Sequence, residues 1–417
     1  MRIVMLSDLE TQGGAAIAAS GLAEAMCRAG HRVTRIVHAA DRKEHSWSTI
    51  QLTPATSPFL PYRAAMRLLP GRYREVLSDR AVQRALSDLL TDLRPDVINV
   101  HNVHSATNAN WSCELLSVCV DHAATIWTLH DMWSFTGRCA YSYDCRKFLT
   151  GCDQTCPTPT EYPALASERI AQAWSQRQRI LAASPRLAAV APSRWLAREA
   201  RSGLWAGHRV EVIPYGVPLE IFRPLDRILA REALGIEARG PVLLMAAQNL
   251  VERRKGGTFL IEALRHVACR PLTVVTLGAG RLHLEAEGIQ IHPLGFVDHA
   301  RTKVLAYSAA DLFLHPAPVD TLPNVVLESV ACGTPVVGFP VGGVPDIVRP
   351  GKTGWLAHQV SARVLAETIE AAISDLRRGV DLRSSCRALA EAEYDLDLQA
   401  RRYAELCHSL ADLASVG

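Results

Sequence analysis

The sequence contains no stretch of eighteen consecutive apolar residues, and its N-terminal apolar run, residues 3–6, stops short of Asp8. The first absence excludes a helical membrane span, and the second leaves too little for a signal peptide, so a cytoplasmic protein is expected. Strong charge of one sign is also missing. With 45 Lys and Arg against 42 Asp and Glu, the formal net charge is +3, too weak for a dedicated nucleic-acid binder, although local basic patches can still meet phosphates or an anionic membrane surface. Neither half carries a G-x-G-x-x-G turn, which removes the best support for a dinucleotide and hydride transfer. No acidic pair sits at a strand end to hold a divalent ion. Asp395-Leu396-Asp397 precedes a helical pattern and reads as a cap and surface pair, so chemistry without a catalytic metal is expected. The eleven cysteines are odd in number and scattered, which argues for reduced thiols over a disulfide framework.

What is present is a foldable α/β pattern. The 417 residues, 48% hydrophobic and 21% charged, suit two domains of about 200 residues each. Short runs rich in Val and Ile at 2–7, 32–38, 96–100, 125–129, 187–191 and 210–214 alternate with helical patterns. A second series follows at 241–246, 272–277, 290–294, 311–315, 335–339 and 354–356. This is the rhythm of parallel βαβ units, in two similar doubly wound halves. The Pro- and Gly-punctuated stretch 213–218 marks a linker. The expected domains are therefore 1–218 and 219–397, with an amphipathic helix over 398–417 that can pack back on the first. Its apolar face is drawn by Leu398, Tyr403, Leu406, Leu410 and Leu413, with Arg401 and Arg402 on the wet side. Residues 61–77 mix Tyr62, Met66, Leu68 and Leu69 with Arg63, Arg67, Arg72 and Arg74, a composition fit for peripheral membrane contact or for an ordinary solvated helix.

The stretch 315–335, HPAPVDTLPNVVLESVACGTP, sits at the C-terminal end of a strand, where ligands bind in doubly wound sheets. The helix that follows offers a positive dipole end to an anion. Asp320 precedes that helix and Glu328 lies about one turn inside it, so two carboxylates are available to accept hydrogen bonds from paired hydroxyls. The cationic group Arg253-Arg254-Lys255 stands before Gly256-Gly257, whose backbone permits close approach. His130 ends a buried strand, Asp131 follows as either a base or a turn cap, and His101 and His104 follow another strand as acceptor-side groups or as parts of a surface turn.

The 315–335 stretch resembles the E-x7-E region of glycosyltransferase family 4, and Gly13-Gly14-Ala15, Pro95-Asp96-Val97-Ile98, residues 212–217, Lys255-Gly256 and Leu277-Gly278-Ala279-Gly280 resemble further parts of it. Residues 129–137, LHDMWSFTG, resemble a bacterial branch that builds surface polysaccharides. The resemblance implies a GT-B fold, two Rossmann-like domains facing a central cleft, and retaining, metal-independent hexosyl transfer from a UDP- or GDP-sugar to a glycan or lipid-linked acceptor. It assigns Glu328 to the donor ribose, Asp320 and His130 to the transferred sugar, and backbone around Leu322, Asn324 and Val325 to the sugar or diphosphate. Gly14, Gly278, Asn249 and Arg253 fall on the donor side, and Lys255 with Arg254 at the leaving diphosphate. Asp320 stands where the family has Glu, Leu322-Pro323-Asn324 replaces its glycines, and Asn249 replaces a common Arg. A sugar-nucleotide epimerase of the same fold, or a non-catalytic sugar-nucleotide binder, would share these features; analysis of the product separates them.

Cys139, Cys145, Cys152 and Cys156 lie within eighteen residues, separated by five, six and three others. Four sulfurs satisfy one tetrahedral zinc, and a structural zinc is expected here, with free thiols or two disulfides as the alternatives.

Overall fold

The computed structural model describes residues 1–41, 43–53, 71–104, 111–238 and 240–415, with backbone alone at 71–77 and 413–415. The chain divides into two compact units. One is Met1–Ile213 with Ala400–Gly417, and the other is Pro214–Gln399.

The first unit runs β1 (Arg2–Leu9), α1 (Gly14–Arg28), β2 (Arg32–Ala39), β3 (Ser48–Gln51), α2 (Gly71–Leu93), β4 (Val97–Val100), α3 (Glu114–His122), β5 (Ala124–Thr128), α4 (Ser167–Ala183), β6 (Ala188–Ala191), α5 (Arg194–Ser202) and β7 (Arg209–Val212). Its seven strands are ordered β3-β2-β1-β4-β5-β6-β7, all parallel. Central strands covered on both faces need apolar residues at every position. Accordingly Ile3, Val4, Met5 and Leu6 of β1, and the whole of β4 and β6, are buried or nearly so. The short strand β3 has no apolar run to announce it, because Ser48, Thr49 and Gln51 sit at an exposed edge beside β2.

The second unit continues with α6 (Arg227–Ala233), β8 (Val242–Asn249), α7 (Gly257–His266), β9 (Leu272–Ala279), β10 (Ile289–Gly295), α8 (Ala300–Ala309), β11 (Leu312–His315), α9 (Asn324–Ala331), β12 (Val336–Gly338), α10 (Val344–Ile347), β13 (Gly354–Leu356), α11 (Ala362–Arg377), α12 (Arg383–Glu393) and α13 (Leu396–Ser415). Its strands are ordered β10-β9-β8-β11-β12-β13, again parallel. In each sheet the chain leaves one way from its first strand and later returns on the other side, at β1/β4 and at β8/β11. Such a reversal splays the following loops apart at the carboxyl ends of the strands and opens room for a ligand there.

The terminal helix α13 crosses the division, its residues from Ala400 onward counting with the first unit. Asp395 caps its start by accepting from the Asp397 N–H at 2.8 Å. Its buried face is Leu396, Gln399, Ala400, Tyr403, Leu406, Cys407 and Leu410. Leu398, expected on that face, is half-buried instead. The stripe is set by the small residues Ala400 and Cys407, which allow close approach, rather than by the leucines alone. Of the segment 61–77, residues up to 70 lie outside the described residues, and from Gly71 the backbone is helical. No helix among the described residues is long and apolar enough to cross a membrane.

Tyr403 anchors α13 with its hydroxyl 3.0 Å from Thr128 Oγ1 at the end of β5, and Thr128 in turn donates to Asn99 at 2.8 Å. Replacing Tyr403 by Phe leaves a buried threonine short of one partner, and about 1 kcal/mol of stability should be lost in urea unfolding. An unchanged midpoint would mean that α13 is held by its apolar face alone.

Candidate active site

In the first unit the functional side chains gather where β4 and β5 end. His101 follows β4 directly and His104 comes three residues later, while His130 and Asp131 follow β5. Two hydrogen-bonded pairs result. His101 Nδ1 lies 2.9 Å from His130 Nε2, and His104 Nε2 lies 2.9 Å from Asp131 Oδ2. His104 Nδ1 is 3.1 Å from the Tyr162 hydroxyl, and Asp131 Oδ1 accepts from the Trp133 N–H at 2.8 Å. Asp131 therefore caps the turn over Trp133–Phe135 and also faces an imidazole. The surface-turn alternative for His101 and His104 is overturned, since they are 1% and 3% exposed. The Trp133 ring packs over these strand ends, 5.4 Å from that of His104. A cavity of about 10 Å³, room for roughly one water, is lined by His101, His104, Trp127, His130, Asp131 and Ser134 among others.

Burial sets the protonation of these groups. It holds His130 down to about 4 and His101 well below its ordinary value. Burial also acts to lower His104, but the Asp131 carboxylate outweighs it and raises that imidazole. Burial would raise Asp131, and the His104 charge and hydrogen bond lower it instead. The first pair is thus neutral and the second is drawn toward an ion pair.

In the second unit the site forms at the ends of β8 and β11. Asp320 is buried in the loop after β11, with Lys255 Nζ 3.1 Å, Arg254 Nη1 3.9 Å and His315 Nε2 3.9 Å from its Oδ2. Two glycines permit this approach. Gly256 takes φ 77°, and a Cβ there would stand 1.9 Å from the Pro316 carbonyl oxygen; at Gly342, φ 53°, a Cβ would stand 1.7 Å from that of Asp320. Any side chain at either position pushes the lysine turn or the acidic loop away. Burial would raise the Asp320 carboxyl, yet Lys255, His315 and Arg254 together lower it. His315 is driven down to about 4 by burial.

Helix α9 begins at Asn324 behind Pro323, with no side chain capping it. Asn324, Val325 and Glu328 form its accessible face, while Val326, Leu327, Ser329 and Val330 are buried. The Tyr307 hydroxyl donates to Glu328 Oε2 at 2.7 Å. Burial raises Glu328, countered in part by Lys303 and by that hydroxyl. Leu322 is buried, so only its backbone is available to a ligand. Arg253 and Asn249 are exposed, and Asn249 Oδ1 accepts from the Val251 N–H at 3.2 Å. Gly278, φ 151°, is required by packing, since a Cβ would meet the Ala247 carbonyl oxygen at 2.0 Å. Gly14 opens α1 behind Gly13, which takes φ 88°. Sequence reasoning missed His315 and Tyr307. His315 lay inside the informative stretch, whereas Tyr307, 21 residues before Glu328 on another helix, carried no signal.

The four cysteines of the 139–156 loop are free thiols, with Cys139 buried and the others half-buried. The thiols of Cys139 and Cys156 act on one another, and Cys152 feels Cys139, Cys145 and Cys156. Among the described residues the group with three ligand atoms within 4.8 Å of one another is Glu10, Asp41 and His45; no three of these sulfurs converge so closely. That acidic group is already satisfied. Glu10 accepts from Trp47, Thr49 and the Asp41 N–H, and Asp41 accepts from Thr11, His45 and the Lys43 N–H.

Two parallel doubly wound units, the second with a cation-paired acid at a strand end and a carboxylate on the accessible face of the next helix, define the GT-B class. The glycosyltransferase family 4 pattern matches residues 12–221, and that of glycosyl transferases group 1 matches residues 240–375. The chain belongs to glycosyltransferase family 4. It is 35% identical over 197 residues to D-inositol 3-phosphate glycosyltransferase 1 of Catenulispora acidiphila, covering 43% of this chain and 47% of that one. To WcaC of Escherichia coli, named for colanic acid biosynthesis, it is 26% identical over 268 residues, covering 62% and 64%. The chain thus aligns with about half to two thirds of the length of these curated relatives. A structure of HepE from Anabaena in complex with UDP-glucose superposes with a TM-score of 0.66 at 19% identity, covering 98% of this chain and 100% of that one, and supports the fold.

The depressed histidines give stability a pH dependence. His130 ionises near 6.5 when unfolded and at about 4 when folded, so its contribution is complete above about 6.5 and is lost as pH falls toward 4. His104, raised, acts oppositely: its contribution is present below its unfolded value and lost as pH rises through the folded one. His130→Asn should therefore flatten the acid limb of stability between about pH 6.5 and 4 in denaturant titrations, and an unaltered limb would show that His130 does not carry it.

Proposed function

We propose that the protein is a retaining glycosyltransferase that moves a sugar from a nucleoside diphosphate sugar to a glycan or lipid-linked glycan in polysaccharide biosynthesis. The observation that carries this reading is the juxtaposition, in the second unit, of Lys255 and Arg254 with Asp320 at the end of β11, next to the accessible Glu328 of α9. Departure of a nucleoside diphosphate builds negative charge on phosphate oxygens. Fixed cations and a helix N-terminus placed there beforehand stabilise that charge without reorganising. Glu328 accepts hydrogen bonds from the paired hydroxyls of the donor ribose. Asp320, held ionised by its cations, orients the transferred sugar and is a poor base, which fits retention better than activation of an acceptor from the opposite face.

In the first unit, neutral His130 hydrogen-bonds a sugar hydroxyl, with its tautomer fixed by His101. Asp131, held ionised by His104, accepts a hydrogen bond from the acceptor hydroxyl and orients it. Membership of family 4 supports glycosyl transfer, and the name of WcaC supports a surface polysaccharide as product, with a UDP- or a GDP-sugar as donor. The arginines at 63, 67, 72 and 74 suit contact with an anionic membrane surface that carries a lipid-linked acceptor. Lys255 and Arg254 supply the charge that a divalent ion would otherwise bring, so the reaction is metal-independent.

UDP or GDP should raise the melting temperature of the wild type, and Glu328→Ala should abolish that rise, as two charge-assisted hydrogen bonds of about 1.5 to 3 kcal/mol each are lost. Asp320→Ala should keep the response to the bare diphosphate and lose turnover of the sugar donor. Equal loss of both in Asp320→Ala would refute its assignment to the sugar. Turnover should persist in EDTA, and strict dependence on added Mg²⁺ or Mn²⁺ would refute charge neutralisation by Lys255 and Arg254.

A further inference from the structure

Arg138 of the 136–165 loop and Arg177 of α4 are buried with no carboxylate in an ion pair among the described residues. Arg138 and Arg177 are 2% and 3% exposed. Arg138 donates to the carbonyls of Glu161 and Pro163 and, at 3.4 Å, to Thr158 Oγ1. Arg177 donates to the Gly137 and Ala173 carbonyls, 3.0 Å each, with its guanidinium 3.9 Å above the Trp133 ring. The Nε of both lacks a partner among the described residues. Burial lowers the Arg177 guanidinium, and the nearby Asp131 is already paired with His104. Two buried guanidiniums held only by carbonyl and hydroxyl oxygens and a ring face are costly, and buried charges persist where something compensates them.

We propose that Cys139, Cys145, Cys152 and Cys156 bind one structural zinc ion as four thiolates, and that this site is the counter-charge of Arg138 and Arg177. Zn²⁺ with four thiolates carries a net charge of 2−, equal and opposite to the two guanidiniums. As the metal binds, four S–H protons pass to solvent and four Zn–S bonds form, with no change in oxidation state. The loop supplies further features of such a site. Gly137 lies against Cys152, so close that a Cβ on it would stand 2.7 Å from that of the cysteine, and backbone N–H groups beside ligand sulfurs support thiolates. Cys145 and Cys156 each close a turn, with their N–H groups on the Ser142 and Asp153 carbonyls at 2.9 and 3.2 Å. Cys139 and Cys156 are already neighbours. A tetrahedron with Zn–S of about 2.3 Å needs sulfurs under roughly 4 Å apart, closer than any three of them stand here, so cysteine side chains turn inward as the metal binds. The metal then steadies Arg177, which lies on Trp133, whose N–H holds Asp131.

The full chain, purified under reducing conditions without chelator, should contain about one zinc by elemental mass spectrometry, released when a mercurial titrates the thiols. Cys152→Ser should lose the metal. Arg177→Met should weaken zinc by about tenfold or more in competition with a chromophoric chelator, whereas Met in place of the half-exposed Arg146 should not. Should Cys152→Ser fail to fold, wild-type stoichiometry and Arg177→Met still decide. Metal-free wild-type protein as stable as zinc-supplemented protein, two disulfides in the intact mass, or full zinc retention in Cys152→Ser would each overturn the site.

Discussion

Asp320 and Lys255, 3.1 Å apart at the end of β11, meet the constraint on which both units turn: charge is buried where parallel strands end. A doubly wound sheet covers its strands on both faces, so the polar groups that a ligand needs can emerge only at the strand ends, within a half-dry environment. Each such group must then be paired, neutralised or aimed at something that binds. Asp320 is paired with cations, Asp131 with His104, and His101 and His130 are neutralised by desolvation.

The two units solve the same problem with opposite chemistry. In the second, Lys255 pairs with the buried acid, and Arg254 stands between it and Glu252. In the first, a neutral imidazole pair and a near-ionic one stand side by side, suited to hydroxyl groups rather than to phosphates. Glycines are spent where backbones must touch for these arrangements to exist: Gly256 against Pro316 and Gly342 against Asp320. Around the cysteine loop, Arg138 and Arg177 are met by carbonyl oxygens and, for Arg177, by the Trp133 ring.

Much of the architecture was legible because a buried parallel strand must be apolar throughout. All twelve Val- and Ile-rich runs became strands; β3, polar and at an edge, lacked that pressure and left no trace. The face of α13 was only partly readable, since Ala400 and Cys407 contribute by being small. Among site residues, Asp320, Lys255 and Arg254 are brought together as their positions after strands suggested. Arg253, in the same short 3₁₀ turn as Arg254 and Lys255, and Asn249, the last residue of β8, are exposed.

The sequence by itself determined the fold class, the family and the loops in which the chemistry lies, because hydrophobic period and turn residues act locally. It did not determine which histidine meets which acid. His101 pairs with His130, His104 with Asp131, and Tyr307 with Glu328 across separations of 29, 27 and 21 residues. Nor did it tell a surface turn from a buried strand end at His101 and His104, or reveal that Arg138 and Arg177 are buried with no carboxylate in an ion pair among the described residues. Those outcomes depend on how far each group is withdrawn from water and on what stands opposite it, quantities that exist only once the sheet order has brought distant loops together.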